Sequence, residues 1–435
     1  MFTESVISFI ERLDFWMVIA YFWPFFLIDM TRYLFLDIVV IFRYMLKKSK
    51  HRFLTQRAKS QLYRERPLVS VIIPGKNEGK HIPRLAESLA QQHYKNIEII
   101  IVDDGSDDNT PEICRPLERE GKIQLFIRNN IRGGKASAAN TALLYAKGKY
   151  IVHIDADSHL SHDSIETILL PFYQDPKIGA VGGDVRVANT NMALASQLQT
   201  IEYFKSISTG RTVSSELGIL RIIAGAHGAF RKDILQRLGG WDVGPGLDGD
   251  ITLKIRKLGY KVIHEADAVC YTNVPSSFFA LAKQRFRWDR SLIRFRVRKH
   301  RDILMRDANF KIRNFIASAE NIFFNLLLDI KWWIYIVQIV VFNPEILEYL
   351  FVINYMLYLI ANILEYCVAC IFLRKSMRSS DYFMFFYLPL MPVYTGVFLR
   401  CIRTYAYIME FLHGASYRDK WNPWKVSKVA EKDKL

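Results

Sequence analysis

The sequence predicts an α/β domain set between membrane helices, on three observations. Short β-rich runs alternate with helical ones between Pro67 and Val274, long apolar runs lie on both sides of that stretch, and polar clusters sit where the β-rich runs end. Strands alternating with helices build a largely parallel sheet covered on both faces, and such a sheet binds ligands beyond the carboxyl ends of its strands.

Residues 15–36 are aromatic and aliphatic, interrupted by Asp29 and Arg32, and a further apolar run reaches Leu46. A spanning helix takes about 20 apolar residues, so this region is one long span kinked at Pro24 or two short ones. Basic residues follow from Arg43 to Arg66, and that flank is expected to be cytoplasmic. Residues 68–73, 97–102, 123–127 and 150–154 read as buried strands, with 82–92, 111–120 and 135–146 as the helices between them. Asn77-Glu78, Asp103-Asp104-Gly105-Ser106 and Asp155-Ala156-Asp157 then fall at strand ends and converge on one rim.

After Pro275 a helix is predicted with Leu281, Trp288, Leu292 and Phe295 on one face and Arg287, Arg290, Arg294 and Arg298 on another, the pattern of a basic helix lying on a membrane surface. Three apolar segments follow at 322–342, 349–373 and 382–412, each long enough to span. Asp329 and Glu365 sit inside two of them. A carboxylate there is expensive unless it faces protein or water, so two readings stay open, a helix-packing hydrogen bond and a hydrated path. The expected division is an N-terminal transmembrane region at 1–48, the α/β domain at 67–274, interfacial helices at 275–313, a C-terminal transmembrane region at 314–413 and a cytoplasmic tail at 414–435.

Composition narrows the class. The net charge of +16 crowds beside apolar segments, at 43–66 and 285–313, which suits an anionic leaflet; no groove-reading motif accompanies it, so nucleic acid is excluded as a partner. Five scattered cysteines make no disulfide framework or zinc pattern. The first residues lack a short apolar core ending in a cleavage site, so the N-terminal apolar segment is expected to stay attached.

The chemistry lies in the carboxylates and the basic helix. A divalent cation such as Mg²⁺ uses one or two protein carboxylates and completes its shell with water and phosphate oxygens. Asp155 and Asp157 suit that task, one holding metal and the other ribose or a neighbouring group. Asp103 and Asp104 offer acceptors to the N–H of a uracil and to ribose hydroxyls, an ordinary Asx turn being the alternative. Gly133-Gly134-Lys135 brings backbone N–H groups and a positive side chain to phosphate at a helix start. In Gly244-Pro245-Gly246-Leu247-Asp248-Gly249-Asp250, one aspartate can take a proton from an attacking hydroxyl and one can cap the helix that follows. Arg287 can neutralise a departing diphosphate, Trp288 can stack on a pyranose or sit at the membrane interface, and Gln284 lies within one turn of both. Together they point to metal-assisted sugar transfer at a membrane.

With Ile73-Pro-Gly-Lys-Asn-Glu78, Val102-Asp-Asp-Gly-Ser-Asp107, Gly133-Gly-Lys135, Asp155-Ala-Asp157, Gly225-Ala-His-Gly-Ala-Phe-Arg231, Asp248-Gly-Asp250 and Gln284-Arg-Phe-Arg-Trp288 in place, the chain resembles the membrane-integrated family 2 glycosyltransferases of the GT-A fold, the group containing cellulose, chitin, hyaluronan and poly-N-acetylglucosamine synthases. The resemblance implies that Asp103 or Asp104 contacts uridine, Asp155 the nucleotide diphosphate, beside the Lys135 already read as a phosphate contact, and Asp157 a Mg²⁺ or Mn²⁺ ion. It makes Asp248 the general base, Arg287 a diphosphate contact, and Trp288 with Gln284 the acceptor site. Two positions depart from the pattern. Gly246-Leu247 replaces the usual acidic lead before Asp248, which leaves Asp250 a rival, and Lys76 stands where an aromatic residue often lies near uracil.

What the resemblance implies overall is an inverting, membrane-bound transferase moving sugar from a UDP-sugar to the end of a growing glycan, coupled to export, with a β-linked glucan or N-acetylglucosamine polymer as product. Membrane lipids and export partner proteins belong to the same expectation, as do a multi-pass place in the plasma or inner membrane and a cytoplasmic catalytic domain. The competing expectations are a non-processive transferase to a lipid-linked acceptor and a catalytically silent glycan-export subunit.

Overall fold

The computed structural model describes residues 2–50, 52–242, 246–305, 311–418 and 423–432. Gly244 and Pro245, the lead into the Asp248 motif, lie outside them. One eight-stranded mixed sheet forms the centre, in the order β3-β2-β1-β4-β7-β6-β8-β5. β1 (Val69–Gly75), β2 (Ile97–Asp103), β3 (Leu125–Arg128) and β4 (Tyr150–Ile154) are parallel, as the alternation with helices requires. β7 (His227–Arg231) runs antiparallel to β4 and to β6 (Ile178–Val187), while β8 (Lys261–Thr272) pairs in parallel with β6 and carries the short β5 (Ser158–Leu160) at the edge.

Both faces of β1 are buried, which is why it reads as an unbroken apolar run. Val69, Val71 and Ile73 pack with Ala58, Leu62, Leu85, Leu89 and Leu169 on one side. Ile72 packs with Ala138, Ala139, Ala142, Ile251 and Ile255 on the other. The four predicted strands and three predicted helices all form, with ends shifted by a residue or two.

Among the described residues three helices are long and apolar enough to cross a membrane: Ile312–Phe342, Pro344–Ser376 and Ser379–His413. Each exceeds its predicted apolar segment, because helical hydrogen bonding continues past the apolar core until a turn stops it. The N-terminal segments Phe15–Trp23, Pro24–Phe35 and Leu36–Lys50 run end to end as one helix, widened between Pro24 and Phe35, beginning where the proline ring's missing N–H breaks the regular ladder. That helix packs with the first two of the three. The Tyr335 hydroxyl donates to the Tyr21 carbonyl, the Tyr358 hydroxyl to Asp29, and Arg32 pairs with Glu320 at 2.9 Å.

A helical run that the sequence reading passed over, Leu194–Glu202 continuing through Tyr203–Thr209 to Gly210–Glu216, docks the α/β domain on this bundle. Leu198, Ile201 and Phe204, at helical spacing, join Tyr366, Leu373, Met391 and Tyr394 in one apolar cluster. Asp329 and Glu365 are both bonded and both line a cavity of about 620 Å³ between the helices. Glu365 pairs with Lys205, and Asp329 accepts from the Thr404 hydroxyl.

The basic helix differs from expectation. Phe278–Leu292, capped by Ser277 whose hydroxyl oxygen accepts from the Ala280 N–H at 3.2 Å, continues as a wider helix to Lys299. Arg290, Arg294 and Arg298 turn to protein partners. Arg290 donates to the Ala415 carbonyl at 2.6 Å, Arg294 lies 4.9 Å from the centre of the Tyr417 ring, and Arg298 pairs with Glu410 at 2.7 Å. Glu410 is fully buried, and a buried carboxylate is costly without a cation beside it. The helix therefore spends its charge on Leu399–His413 and the turn after it.

Candidate active site

Parallel pairing sets Gly75 of β1 level with Asp103 of β2, and Ile72 level with His153 of β4. The chain segments that follow these strands therefore share one rim. Asp103 is buried, its Oδ1 accepting from the backbone N–H and hydroxyl of Ser106, and its Oδ2 lies 3.5 Å from Arg128 Nε. Asp104 accepts the Gly133 N–H at 2.9 Å and the Gly134 N–H at 2.7 Å. These two amides were expected to cradle phosphate; they hold Asp104 instead, because an unpaired carboxylate so deeply buried needs donors of its own. What remains for an anion at this helix start is Lys135. Lys76, in the place of an aromatic residue, donates to the Gly105 carbonyl at 2.6 Å and pairs with Asp107 at 2.8 Å.

Lys135 reaches across to Asp155. On its other side stands Asp248, whose Oδ2 accepts the Gly225 N–H at 2.9 Å. A β-carbon added at Gly225 would lie 2.8 Å from Asp248 Oδ1 and 2.9 Å from the Lys135 ammonium, so the closeness of these groups depends on a glycine there. His153 donates to the Gly225 carbonyl at 2.6 Å and fixes that backbone. The result is a row of Asp155, Lys135 and Asp248.

Asp250 belongs to a different environment. It is 2% exposed and lies 2.7 Å from His300 Nε2, 2.9 Å from Lys299 Nζ and 3.5 Å from Lys254 Nζ. Against the upward push of burial, His300 and the two lysines hold its carboxyl far below the ordinary range. It is a fixed anion in a cationic nest. Neither aspartate caps the helix Leu247–Lys257, which starts from Gly246 in the left-handed region at φ 82° with no side-chain cap.

Asp157 accepts from the hydroxyls of Ser158 and Thr272, both at 3.3 Å to Oδ1, and Oδ2 takes no hydrogen bond from the described residues. Glu78, quoted in the first motif but given no role, is the carboxylate the sequence reading missed. Its Cγ lies 3.2 Å from the position of a β-carbon on Gly75, as does Ala156 Cβ, so it leans over the Asp155-Ala156-Asp157 turn. Burial and Asp155 push Asp157 up to about 6, and burial with Asp157 and Asp155 pushes Glu78 up to about 8. Asp155 shifts the other way: burial is outweighed by Lys135, His153 and Arg287, which hold it below its usual range.

These oxygen donors suit a hard divalent cation, since one face holds more carboxylate than its neighbours neutralise. No group of three or more His, Cys, Asp or Glu among the described residues is placed to hold an ion, so most of the shell would come from phosphate and water.

The Glu78 shift makes a stability prediction. A carboxyl with a higher pKa folded than unfolded contributes stability that is full below the ordinary carboxylate range and lost as pH rises toward its folded value. In detergent and chelator, Tm should fall between about pH 6 and about pH 8, and fall less in Glu78→Gln. Equal falls in both proteins would remove Glu78 as the source.

The second part of the rim is the helix of Gln284 and Trp288. Arg287 is near enough for its charge to act on Asp155. Trp288 is 41% exposed, and Gln284 Oε1 is buried without a hydrogen-bond partner. Asp289 lies 3.8 Å from Arg403, which lines the cavity between the membrane helices.

Residues 70–239 match the family described as Glycosyl transferase family 2. The chain is also 30% identical over 287 residues to the poly-beta-1,6-N-acetyl-D-glucosamine synthase of Staphylococcus epidermidis, covering 65% of this chain and 67% of that protein. This chain belongs to glycosyl transferase family 2. The synthase of the same name from Staphylococcus aureus (strain COL) is 30% identical to this family 2 transferase over 263 residues, 60% of this chain and 61% of that one. Among solved structures, the mannosyltransferase PcManGT from Pyrobaculum calidifontis, in complex with GDP-Man and Mn²⁺, superposes with a TM-score of 0.54 at 20% identity, covering 86% of this chain and 99% of that chain. The shared fold is the GT-A type, here joined to membrane-length helices.

Proposed function

We propose that this transferase extends a β-linked polysaccharide from a UDP-sugar and passes the product between its membrane helices. The observation that carries the reading is continuity: the helix of Gln284 and Trp288 brings the Arg287 charge to bear on Asp155 of the rim, while Glu202 and Arg403, paired with Arg285 and Asp289 of the same helix, line the membrane cavity. The similarity to synthases named for poly-beta-1,6-N-acetyl-D-glucosamine supports UDP-N-acetylglucosamine as donor. The basic flank at 43–66 supports a catalytic domain on the cytoplasmic side of a multi-pass protein in the plasma or inner membrane.

In this reading Asp103 and Asp104 shape the uridine pocket, and Asp157, with Asp155 beside it, holds Mg²⁺ or Mn²⁺. The ion supplies charge neutralisation to the diphosphate when bound. Asp248 accepts the proton of the acceptor hydroxyl as its oxygen attacks the anomeric carbon. The bond from that carbon to the diphosphate breaks with its electrons going to the phosphate oxygen, and Lys135 and Arg287 meet the charge that develops there. Attack opposite the leaving group inverts an α-linked donor to a β-linkage.

Purified protein incubated with a panel of UDP-sugars tests this, with UDP release and product size as readouts. Long polymer from one donor is expected; a single added sugar would mark a non-processive transferase, and no UDP release would overturn the enzyme reading. Trp288→Ala should shorten the product, because stacking worth about 0.5–1.5 kcal/mol beyond burial is lost, while donor binding persists. Full-length polymer from the folded, membrane-inserted variant would leave Trp288 as an interfacial residue.

A further inference from the structure

Between Gln284 and Arg287 the motif leaves two positions without a role, and one of them, Arg285, has well-defined partners. Its Nη2 donates to Glu202 Oε2 at 2.9 Å, and its guanidinium carbon lies 4.7 Å from the centre of the Trp288 ring. The same Glu202 oxygen accepts from the Tyr394 hydroxyl at 2.8 Å. Glu202 closes the docking helix Leu194–Glu202 of the α/β domain, and Tyr394 belongs to the third membrane-length helix, Ser379–His413. One carboxylate oxygen thus joins three elements next to the indole. The side chains of Arg285 and Glu202 are only 12% and 15% exposed, against 41% for Trp288. A planar cation on one side of an indole restricts its rotamers and leaves the other side to a sugar ring.

We infer that Arg285 and Glu202 are positioning residues that hold Trp288 in its acceptor-stacking orientation, with Tyr394 linking that orientation to the third membrane helix. This rests on the reading of Trp288 as the acceptor platform. Arg285→Lys keeps the charge but loses the planar stack, and Glu202→Gln keeps the shape but loses the charge that anchors Arg285.

The experiment compares purified full-length wild type, Arg285→Lys, Glu202→Gln and Tyr394→Phe, with Trp288→Ala as reference. It measures the KM for UDP-sugar and product length per UDP released. The first two variants should keep the donor KM and shorten mean product about threefold, the scale of a lost cation–π contact. Tyr394→Phe, the mildest change and the least able to disturb folding, should shorten it by less. If Trp288→Ala shortens product while the other three give wild-type length, the inference is overturned and the platform stands. Where Trp288→Ala leaves length unchanged, the platform reading fails first. Loss of UDP release in proportion to polymer yield, at unchanged length, would mean a structural role only and also overturns the inference.

Discussion

Asp248→Asn should bind donor normally and lose transfer by about 10²- to 10⁴-fold, the contribution general base catalysis makes. Asparagine keeps an oxygen for the Gly225 N–H that now reaches Asp248 at 2.9 Å, so the local fold should hold while the proton acceptor is gone. Asp250→Asn tests the alternative. Its carboxylate faces His300, Lys299 and Lys254, and neutralising it removes a buried partner that the two lysines share with Asp242, so the variant should melt lower than wild type. Single-turnover transfer and thermal melting on the two variants separate the roles. A stable Asp250→Asn that binds donor but cannot transfer, beside an active Asp248→Asn, would reverse the assignment.

Asp157→Ala carries the second large effect, a fall in turnover of about 10³-fold, corresponding to several kcal/mol of charge stabilisation on the leaving diphosphate. The Asp157 oxygen that takes no hydrogen bond is the position a cation would use, and donor binding should lose its dependence on Mg²⁺ or Mn²⁺. In chelator the variant should melt no lower than wild type, because a carboxylate crowded by Asp155 and Glu78 has been removed. Near-normal turnover at saturating metal would reject Asp157 as the metal-holding residue.

The sheet rim is legible in the sequence because strands buried on both faces leave a strong apolar signal, and polar residues directly after them can lie only at strand ends. Asp103, Asp155 and Asp157 were found in this way. Glu78 stood in view at Asn77-Glu78, but its crowding with Asp155 and Asp157 arises from the turn across Gly75 and Ala156, which is a spatial relation. Arg285 and Glu202 are 83 residues apart, and no periodicity links them. The docking helix carried a weak signal in Leu198, Ile201 and Phe204, interrupted by the polar residues that serve the interface.

By itself the sequence determined the order of parts: an α/β domain between apolar segments, its acidic clusters on one rim, and an arginine-rich helix before the membrane helices. These follow from local periodicity and from the residues that end strands. Only the tertiary structure set Asp248 and Asp250 in different surroundings, because Lys299 and His300, which contact Asp250, lie about fifty positions further along the chain. It likewise paired Arg298 with Glu410, and gave the Gly133 and Gly134 amides to Asp104. In each case a buried charge had to find its partner, and the partner came from a distant part of the chain.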